Sequence, residues 1–308
     1  MQKHNYSISH SFHKASGVTL IELLVAMVIG LLLVIAASAT YLYSRNSYNA
    51  VSETSQMEEN GRFALNLLSR YVQSAGFVMI NPNAINIQGA FINKISGCDF
   101  GLSNGINPSD SDDIACRAAT PAGEIQSASI SMFFDTDTYN GTKFEGLNCI
   151  GNRSVETSIT DESGAVSFTQ SQSRAHFFIS TFVSATPNGT VTRRQLSCVG
   201  ETKIAAGLLS YGSQPLIPGI EQLAVRYLLP STVSPKVAQR GLTASAVTVW
   251  GDVMAVELCV LTRSIQATRN ETDTVYTDCY GNPIPVTGND SYRSFRTTVN
   301  LRNRTQAL

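Results

Sequence analysis

The fold of this chain is indicated first by residues 17–25, which read GVTLIELLV. They open an apolar run from Val18 to Leu42, 25 residues long, in which Glu22 is the only charged side chain. A helix of about 20 apolar residues crosses a bilayer core of about 30 Å, so this run is long enough to span a membrane. Because a charge at bilayer depth costs at least about 2.5–3.5 kcal/mol, Glu22 is a candidate functional residue.

The polar segment before this run, residues 1–17, carries two lysines and no acidic residue. By the positive-inside rule it stays in the cytoplasm, and the rest of the chain is exported. Two alternatives are an ordinary secretory signal peptide cut after Ala39 and a generic single-pass anchor. The first does not explain the length of the apolar run or its carboxylate. The second does not explain Gly17 or Glu22.

The order of residue types in this segment resembles the cleavage and methylation site of type IV prepilins and pseudopilins. The resemblance implies that a prepilin peptidase cuts between Gly17 and Val18, and that the new amino group of Val18 is N-methylated. Such an amino group is cationic at neutral pH. Glu22 is then expected to pair with it on a neighbouring subunit and to set the stagger of adjacent helices, because a buried charge needs a partner. The first mature residue is usually Phe in this family, and Val18 departs from that pattern.

A single long helix is predicted from Val18 to Gly76, because no proline occurs before Pro82. It divides into a transmembrane half, residues 18–43, and an amphipathic periplasmic half, residues 44–76. Apolar residues at helical spacing in the second half predict the face that packs under an exported domain, namely Ala64, Leu65, Leu68, Tyr71, Val72 and Ala75. Gly76 is the expected C-cap.

The rest of the chain reads as an exported, β-rich domain. Apolar and polar residues alternate over 222–229, 254–260 and 295–302, which predicts strands, and the run 175–183 predicts a strand buried on both faces. Glycine and proline in residues 81–124 predict a loop-rich insertion. We therefore divide this part into a loop-rich αβ insert with strands, residues 77–205, and an antiparallel β-sheet domain, residues 206–308. The fold class is α+β, with the long N-terminal helix packed on the C-terminal sheet domain.

Three short motifs resemble the PilW family of minor pilins: NGRFA at 60–64, GIEQL at 219–223 and LRN at 301–303. The resemblance implies a pilin-like fold and a single-pass inner-membrane precursor with a periplasmic C-terminal domain. It also implies a place in a minor-pilin complex that primes assembly and sits at the pilus tip, with roles in cell adhesion and twitching motility. The implied partners are other minor pilins, the major pilin, the prepilin peptidase/methyltransferase and a PilY-type tip adhesin. The alternatives are a large J-class pseudopilin of a type II secretion system and a membrane-tethered periplasmic enzyme or binding domain.

All six cysteines follow the apolar run, in the part expected to reach an oxidising compartment. None forms a C-x-x-C pair and no histidine lies at zinc-finger spacing, which argues against a metal cluster. An even number of cysteines predicts disulfides, and 15 connectivities are open. The preferred set is sequential: Cys98–Cys116, Cys149–Cys198 and Cys259–Cys279.

Catalytic motifs are missing from the sequence, so no enzyme activity and no cofactor are predicted. His176 is the one histidine of the exported part, and it lies in an apolar run where a packed or strand-surface histidine is expected. The segment 135–141 begins like an EF-hand loop, but Gly141 and Glu145 each miss the required register by one residue. A second acidic cluster, at 110–113, is read as solvated.

The charge of the chain gives no reason to expect a nucleic-acid partner. The net charge is −1, which provides no general attraction to nucleic acid. Four arginines lie near the C-terminus: Arg293, Arg296, Arg302 and Arg304. The alternation of the last strand predicts most of them on its solvated face.

Overall fold

The computed structural model describes residues 17–77, 95–103, 116–135, 147–152, 155–160, 166–186, 189–203, 209–230, 241–265, 274–286 and 290–303. The chain divides into two units, Met1–Asn49 and Ala50–Leu308. The helix α1, Leu20–Ser74, contributes residues to both.

In the first unit, every described residue from Gly17 to Asn49 is exposed. The helix here is long and apolar enough to cross a membrane, judged by its length and composition. It continues without a break through Gly30, where an added side chain would meet no other atom within 4 Å.

The second unit is built from the rest of α1 and eleven described strands. The strands are β1 Ile95–Cys98, β2 Ser129–Asp135, β3 Val155–Thr160, β4 Val166–Thr186, β5 Gly189–Lys203, β6 Leu209–Pro218, β7 Ile220–Leu228, β8 Ala255–Arg263, β9 Thr274–Thr277, β10 Pro283–Val286 and β11 Tyr292–Asn300. Two short 3-10 helices, Ala244–Ala246 and Trp250–Asp252, precede β8.

These strands form three antiparallel sheets. The largest has the order β1-β2-β4-β5-β6, with β3 also paired to β4. A three-stranded sheet has the order β11-β8-β7, and β9 pairs with β10. The structure thus has the predicted α+β class, a long N-terminal helix with antiparallel sheets.

The main core lies between α1 and the two larger sheets. The predicted helical stripe is confirmed, because Ala64, Leu68 and Val72 are fully buried against residues such as Phe177 and Leu223. Full burial of a large aliphatic side chain contributes roughly 1.5–3 kcal/mol. Hydrophobic burial along this stripe therefore holds the second half of α1 on the sheets.

The predicted boundary at residue 205 does not separate two sheets. β6, which follows it, pairs with β5 across the link 204–208 and completes the largest sheet. The described part of 77–205 consists of strands and loops without a helix, including β4 and β5 with 21 and 15 residues. In the described part of the insert, the strands thus belong to the same sheet as β6, which follows the predicted boundary.

The strand β7 is buried on both faces, although its alternation predicted one polar face. Leu223 and Tyr227 enter the main core, while Ala224 on the other face packs in a second cluster with Cys259 and Cys279. The segment around β9 and β10 covers that face, through side chains such as Ile284. Local alternation cannot reveal this cover, because it is distant in the sequence.

Candidate processing and assembly sites

The peptide bond between Gly17 and Val18 lies just before α1, in a segment without regular structure. Val18 is 68% exposed. A side chain at Gly17 would meet no atom within 4 Å, and its φ lies outside the left-handed region. The fold of this chain therefore does not itself require glycine at this position.

Glu22 has a local role that the sequence analysis missed. Its backbone N–H donates to the carbonyl of Thr19 at 3.1 Å and lies 3.4 Å from the Thr19 hydroxyl oxygen. Thr19 thus caps the helix, and Glu22 occupies the third helical position, the spacing of a capping box. A carboxylate there also lies near the positive end of the helix dipole. The signal was present in the sequence as T-x-x-E.

Polar contacts join α1 to the strand ends within the second unit. The buried Glu53 carboxylate accepts a hydrogen bond from the backbone N–H of Ile265 at 3.0 Å. The side-chain amide of Asn60 donates to the carbonyl of Pro218 at 3.2 Å. Glu53 and Asn60 lie two turns apart on the helix, so they hold it at the ends of β8 and β6 respectively.

The NGRFA motif contains two residues that contact the sheets and two residues that are exposed. A Cβ atom at Gly61 would overlap the ring of Phe295 on β11, so only glycine fits there without movement. Arg62 and Phe63 are exposed, Phe63 by 56%. Asn60 and Gly61 therefore position the helix, whereas Arg62 and Phe63 lie on the surface.

The GIEQL motif turns the chain from one large sheet to the other. Gly219 has a φ of 75°, which favours glycine. Its N–H donates to the carbonyl of Arg194 on β5, and its carbonyl accepts from the N–H of Arg263 on β8. The side chain of Gln222 accepts a hydrogen bond from the N–H of Cys279 at 2.7 Å. This motif thus links the sheets and the cover of the second cluster.

The buried carboxylate of Glu221 lies among arginines. Arg263 is 3.5 Å from its Oε1, an ion-pair distance, but that oxygen accepts no hydrogen bond from the described residues. Burial raises the pKa of Glu221, and the positive charges of Arg263 and Arg194 oppose the rise. The group lines a small cleft of about 120 Å³ with Arg193 and Ser264. Because this cleft adjoins the contacts of Glu53 and Asn60, we read it as part of the helix–sheet junction.

The LRN motif closes the C-terminal end of α1. The side-chain amide of Asn303 lies 3.1, 3.4 and 3.5 Å from the carbonyls of Gln73, Ser74 and Ala75. The last carbonyl groups of a helix have no hydrogen-bond donor inside the helix itself. Gly76 follows with a φ of 74°, and its N–H donates to Phe133 on β2. The helix accordingly ends at Ser74, as expected from the C-cap glycine.

The structure brings the six cysteines together in the sequential pairs. Their Cα–Cα distances are 5.3 Å for Cys98–Cys116, 6.3 Å for Cys149–Cys198 and 5.8 Å for Cys259–Cys279. All fall within the usual range for a disulfide. The third bridge joins β8 to the segment that covers the second cluster.

His176 is a packed residue in the interior of β4. Its Nδ1 is 2.6 Å from the Ser131 hydroxyl on β2. Burial and the neighbouring Arg174 lower the pKa of His176 to about 4. A neutral imidazole with a hydroxyl partner is what a buried strand position requires.

Metal binding finds no support in the described ranges, which hold no group of three or more His, Cys, Asp or Glu residues arranged for a metal ion. The acidic cluster at 110–113 and the EF-hand-like residues after 135 lie outside the described residues. Arg293 and Arg296 are exposed on β11, as expected, and pair with Glu58 and Glu257.

Two family models match separate parts of this chain. The family described as type IV pilus-assembly protein W matches residues 176–303. The prokaryotic N-terminal methylation motif matches residues 12–38. The chain thus combines a pilin-type N-terminal motif with a region similar to the PilW family. The residues matched by the PilW family include GIEQL and LRN, whereas NGRFA at 60–64 lies outside both matched ranges.

A solved structure similar to this chain is the type IV-like pilin TTHA1219 from Thermus thermophilus. The two share 11% sequence identity with a TM-score of 0.38, over 81% of this chain and 98% of the other. No curated protein matches the sequence. The apolar helix and methylation motif suit a membrane-anchored pilin that is assembled into a pilus.

Proposed function

We propose that this protein is a minor pilin that takes part in the initiation and tip complex of a type IV pilus. One observation carries the proposal: a methylation motif continues into an apolar helical segment, residues 20–49, whose described residues are all exposed, in the same chain as a region that matches the PilW family. An apolar helical segment that is exposed at each of its described residues needs a bilayer or neighbouring helices around it. The membrane supplies the bilayer before assembly, and the filament supplies the neighbouring helices afterwards.

Processing takes place between Gly17 and Val18 in this proposal. The bond is exposed and precedes the helix, which supports access by a peptidase. Since the fold itself has no need of Gly17, the glycine serves the enzyme that cuts beside it. The mature N-terminus is then methylated, with the head in the periplasm and the anchor in the inner membrane.

Glu22 supplies the contact between subunits. In the described part of the chain its carboxylate forms no ion pair, although it lies within an apolar segment. The amino group of Val18 on the next subunit is the partner that the motif provides. Pairing the two charges removes the cost of an isolated carboxylate in the helical core of a filament.

The proposed partners are other minor pilins, the major pilin, the prepilin peptidase/methyltransferase and a PilY-type adhesin at the tip. The second candidate is the J-class pseudopilin, which shares the same processing. The match to the pilus-assembly family favours the pilus. Purified, sheared pili should therefore contain this protein, and deletion of its gene should reduce piliation without blocking type II secretion.

Mass spectrometry of the mature N-terminus tests the proposal most directly. Protein taken from cells should begin at Val18 and carry one methyl group. A start at Met1 would overturn the processing, and a start at Thr40 would identify an ordinary signal peptide. A matched sample from cells without the peptidase should retain residues 1–17.

A further inference from the structure

The strand β11 is one of the two outer strands of the described three-stranded sheet. Hydrogen bonds at its two ends show which of its backbone groups face β8. At one end the N–H of Leu301 donates to the carbonyl of Met254 at 3.0 Å. At the other end the carbonyl of Ser291 accepts from the N–H of Ser264 at 2.9 Å. In an antiparallel pair, alternate residues bond to the same neighbour. The odd-numbered residues of β11 therefore bond to β8.

The even-numbered residues direct their N–H and C=O groups away from the sheet. They are Tyr292, Ser294, Arg296, Thr298 and Asn300. Within the ranges that the structure describes, the backbone groups of these residues form no hydrogen bond. β11 thus presents a row of backbone donors and acceptors over nine residues. Such a row is a template for pairing with another extended chain.

No residue of β11 blocks this edge. The strand contains no proline, whereas β6, the outer strand of the largest sheet, contains Pro215 and ends at Pro218. Proline cannot donate to a ladder and commonly protects an edge from added strands. Compared with the protected edge of β6, the edge of β11 is therefore available for pairing.

The charge of β11 indicates what kind of strand it accepts. Residues 292–303, YRSFRTTVNLRN, contain three arginines and no acidic residue. Arg293 and Arg296 are partly neutralised by Glu58 and Glu257. Arg302 is exposed and forms no ion pair with another described residue. A second copy of β11 would bring like charges together, which destabilises a strand pair.

We propose that β11 binds an extended, acidic segment of a different protein as an added strand. The main-chain hydrogen bonds supply affinity, and carboxylates at alternate positions of the incoming strand contact the exposed arginines. The polar side chains on the exposed face of β11 limit non-specific association without closing the edge. This surface belongs to the second unit and does not depend on processing or methylation of the N-terminus.

Binding of two synthetic peptides to the full-length protein in detergent tests the proposal. One nine-residue peptide alternates threonine and glutamate, and its counterpart alternates threonine and lysine. At low ionic strength the acidic peptide should bind at least about tenfold more tightly, and added salt should weaken it by screening. Equal affinity for the two peptides, or no binding of either, would overturn the proposal.

Hydrogen exchange on the wild-type protein locates the site without any substitution. The acidic peptide should slow amide exchange in Tyr292–Asn300 and leave Ile220–Leu228, which is already buried, unchanged. Protection elsewhere and not in β11 would contradict the assignment. A dimer formed through β11 by the protein alone would also contradict it, since it would identify a second copy as the partner.

Thr298→Pro is the sharpest variant, with Thr298→Val as its matched control. The amide of Thr298 faces away from β8, so proline removes an outward donor without removing a bond of the sheet. A buried hydrogen-bond acceptor left unpaired weakens binding by about tenfold. The valine variant keeps the amide and should bind as the wild type does. Unchanged exchange in β8 shows that the proline variant is folded, and wild-type affinity in that variant would overturn the proposal.

Discussion

The side-chain amide of Asn303, the last described residue of the chain, donates a hydrogen bond to the carbonyl of Gln73 at 3.1 Å. The two residues are 230 positions apart. Asn303 therefore caps the end of α1, and the last residue matched by the PilW family is joined to the helix by a contact between a side chain and the backbone.

Asn303→Ala should destabilise the protein by about 1 kcal/mol, the usual net contribution of a hydrogen bond, and more if the carbonyls are left unpaired. The free energy of unfolding in denaturant measures this loss. Arg302→Ala is the matched control, because that side chain is exposed and should change stability by less than about 0.5 kcal/mol. Equal effects of both substitutions would argue against the cap.

Gly61→Ala should destabilise the protein even though alanine favours a helix by about 1 kcal/mol. The added methyl group overlaps the ring of Phe295, and overpacking costs typically about 1–3 kcal/mol. Gly30→Ala is the control, since open space surrounds that position in this chain. The pair Gly61→Ala and Phe295→Leu should be less destabilised than the sum of the single variants. Strict additivity would show that the two residues do not interact.

Glu22→Ala should be cleaved normally but should enter filaments poorly, because the amine of the next subunit loses its partner. Thr19→Val separates this effect from capping, since it removes the hydroxyl and keeps the carboxylate. Immunoblots of sheared pili and of cell membranes measure incorporation and cleavage. Similar losses of incorporation in both variants would assign the role of Glu22 to the helix cap instead.

Gly17→Val should leave residues 1–17 attached, while Gly17→Ala, a small residue, should be processed. Both should melt at the wild-type temperature, because the fold does not use the glycine. Intact-mass measurement of the protein from membranes distinguishes the two forms. Normal cleavage of the valine variant would place the scissile bond elsewhere.

Acid should destabilise the fold through His176. Its pKa is about 4 in the folded chain against 6.5 for the free side chain, so the unfolded chain binds a proton first as the pH falls. The stability contributed by neutral His176 is therefore complete above about pH 6.5 and is lost progressively toward pH 4, by about 3 kcal/mol in total. The free-energy difference between the wild type and His176→Gln, measured at pH 7 and pH 4.5, isolates this residue. A difference that does not change with pH would contradict the prediction.

Much of the architecture could be predicted because it depends on short-range patterns. Helical spacing identified the buried face of α1, including Leu68, and alternation identified β7, β8 and β11. The cover over Ala224 could not be predicted, because the residues that form it follow more than fifty positions later. The same limit applies to the boundary at residue 205, since glycine and proline mark turns within a sheet as well as between domains.

The sequence by itself determined the apolar helix, the position of its one carboxylate and the strands β7, β8 and β11, because these depend on composition and on spacing along one element. Only the tertiary structure decided why Gly61 must be small, which group caps α1 and which strand edge has no partner among the described residues. Each of these depends on atoms brought together from distant parts of the chain. Packing and hydrogen bonding act through space, so the residue that satisfies a group need not be near it in the sequence.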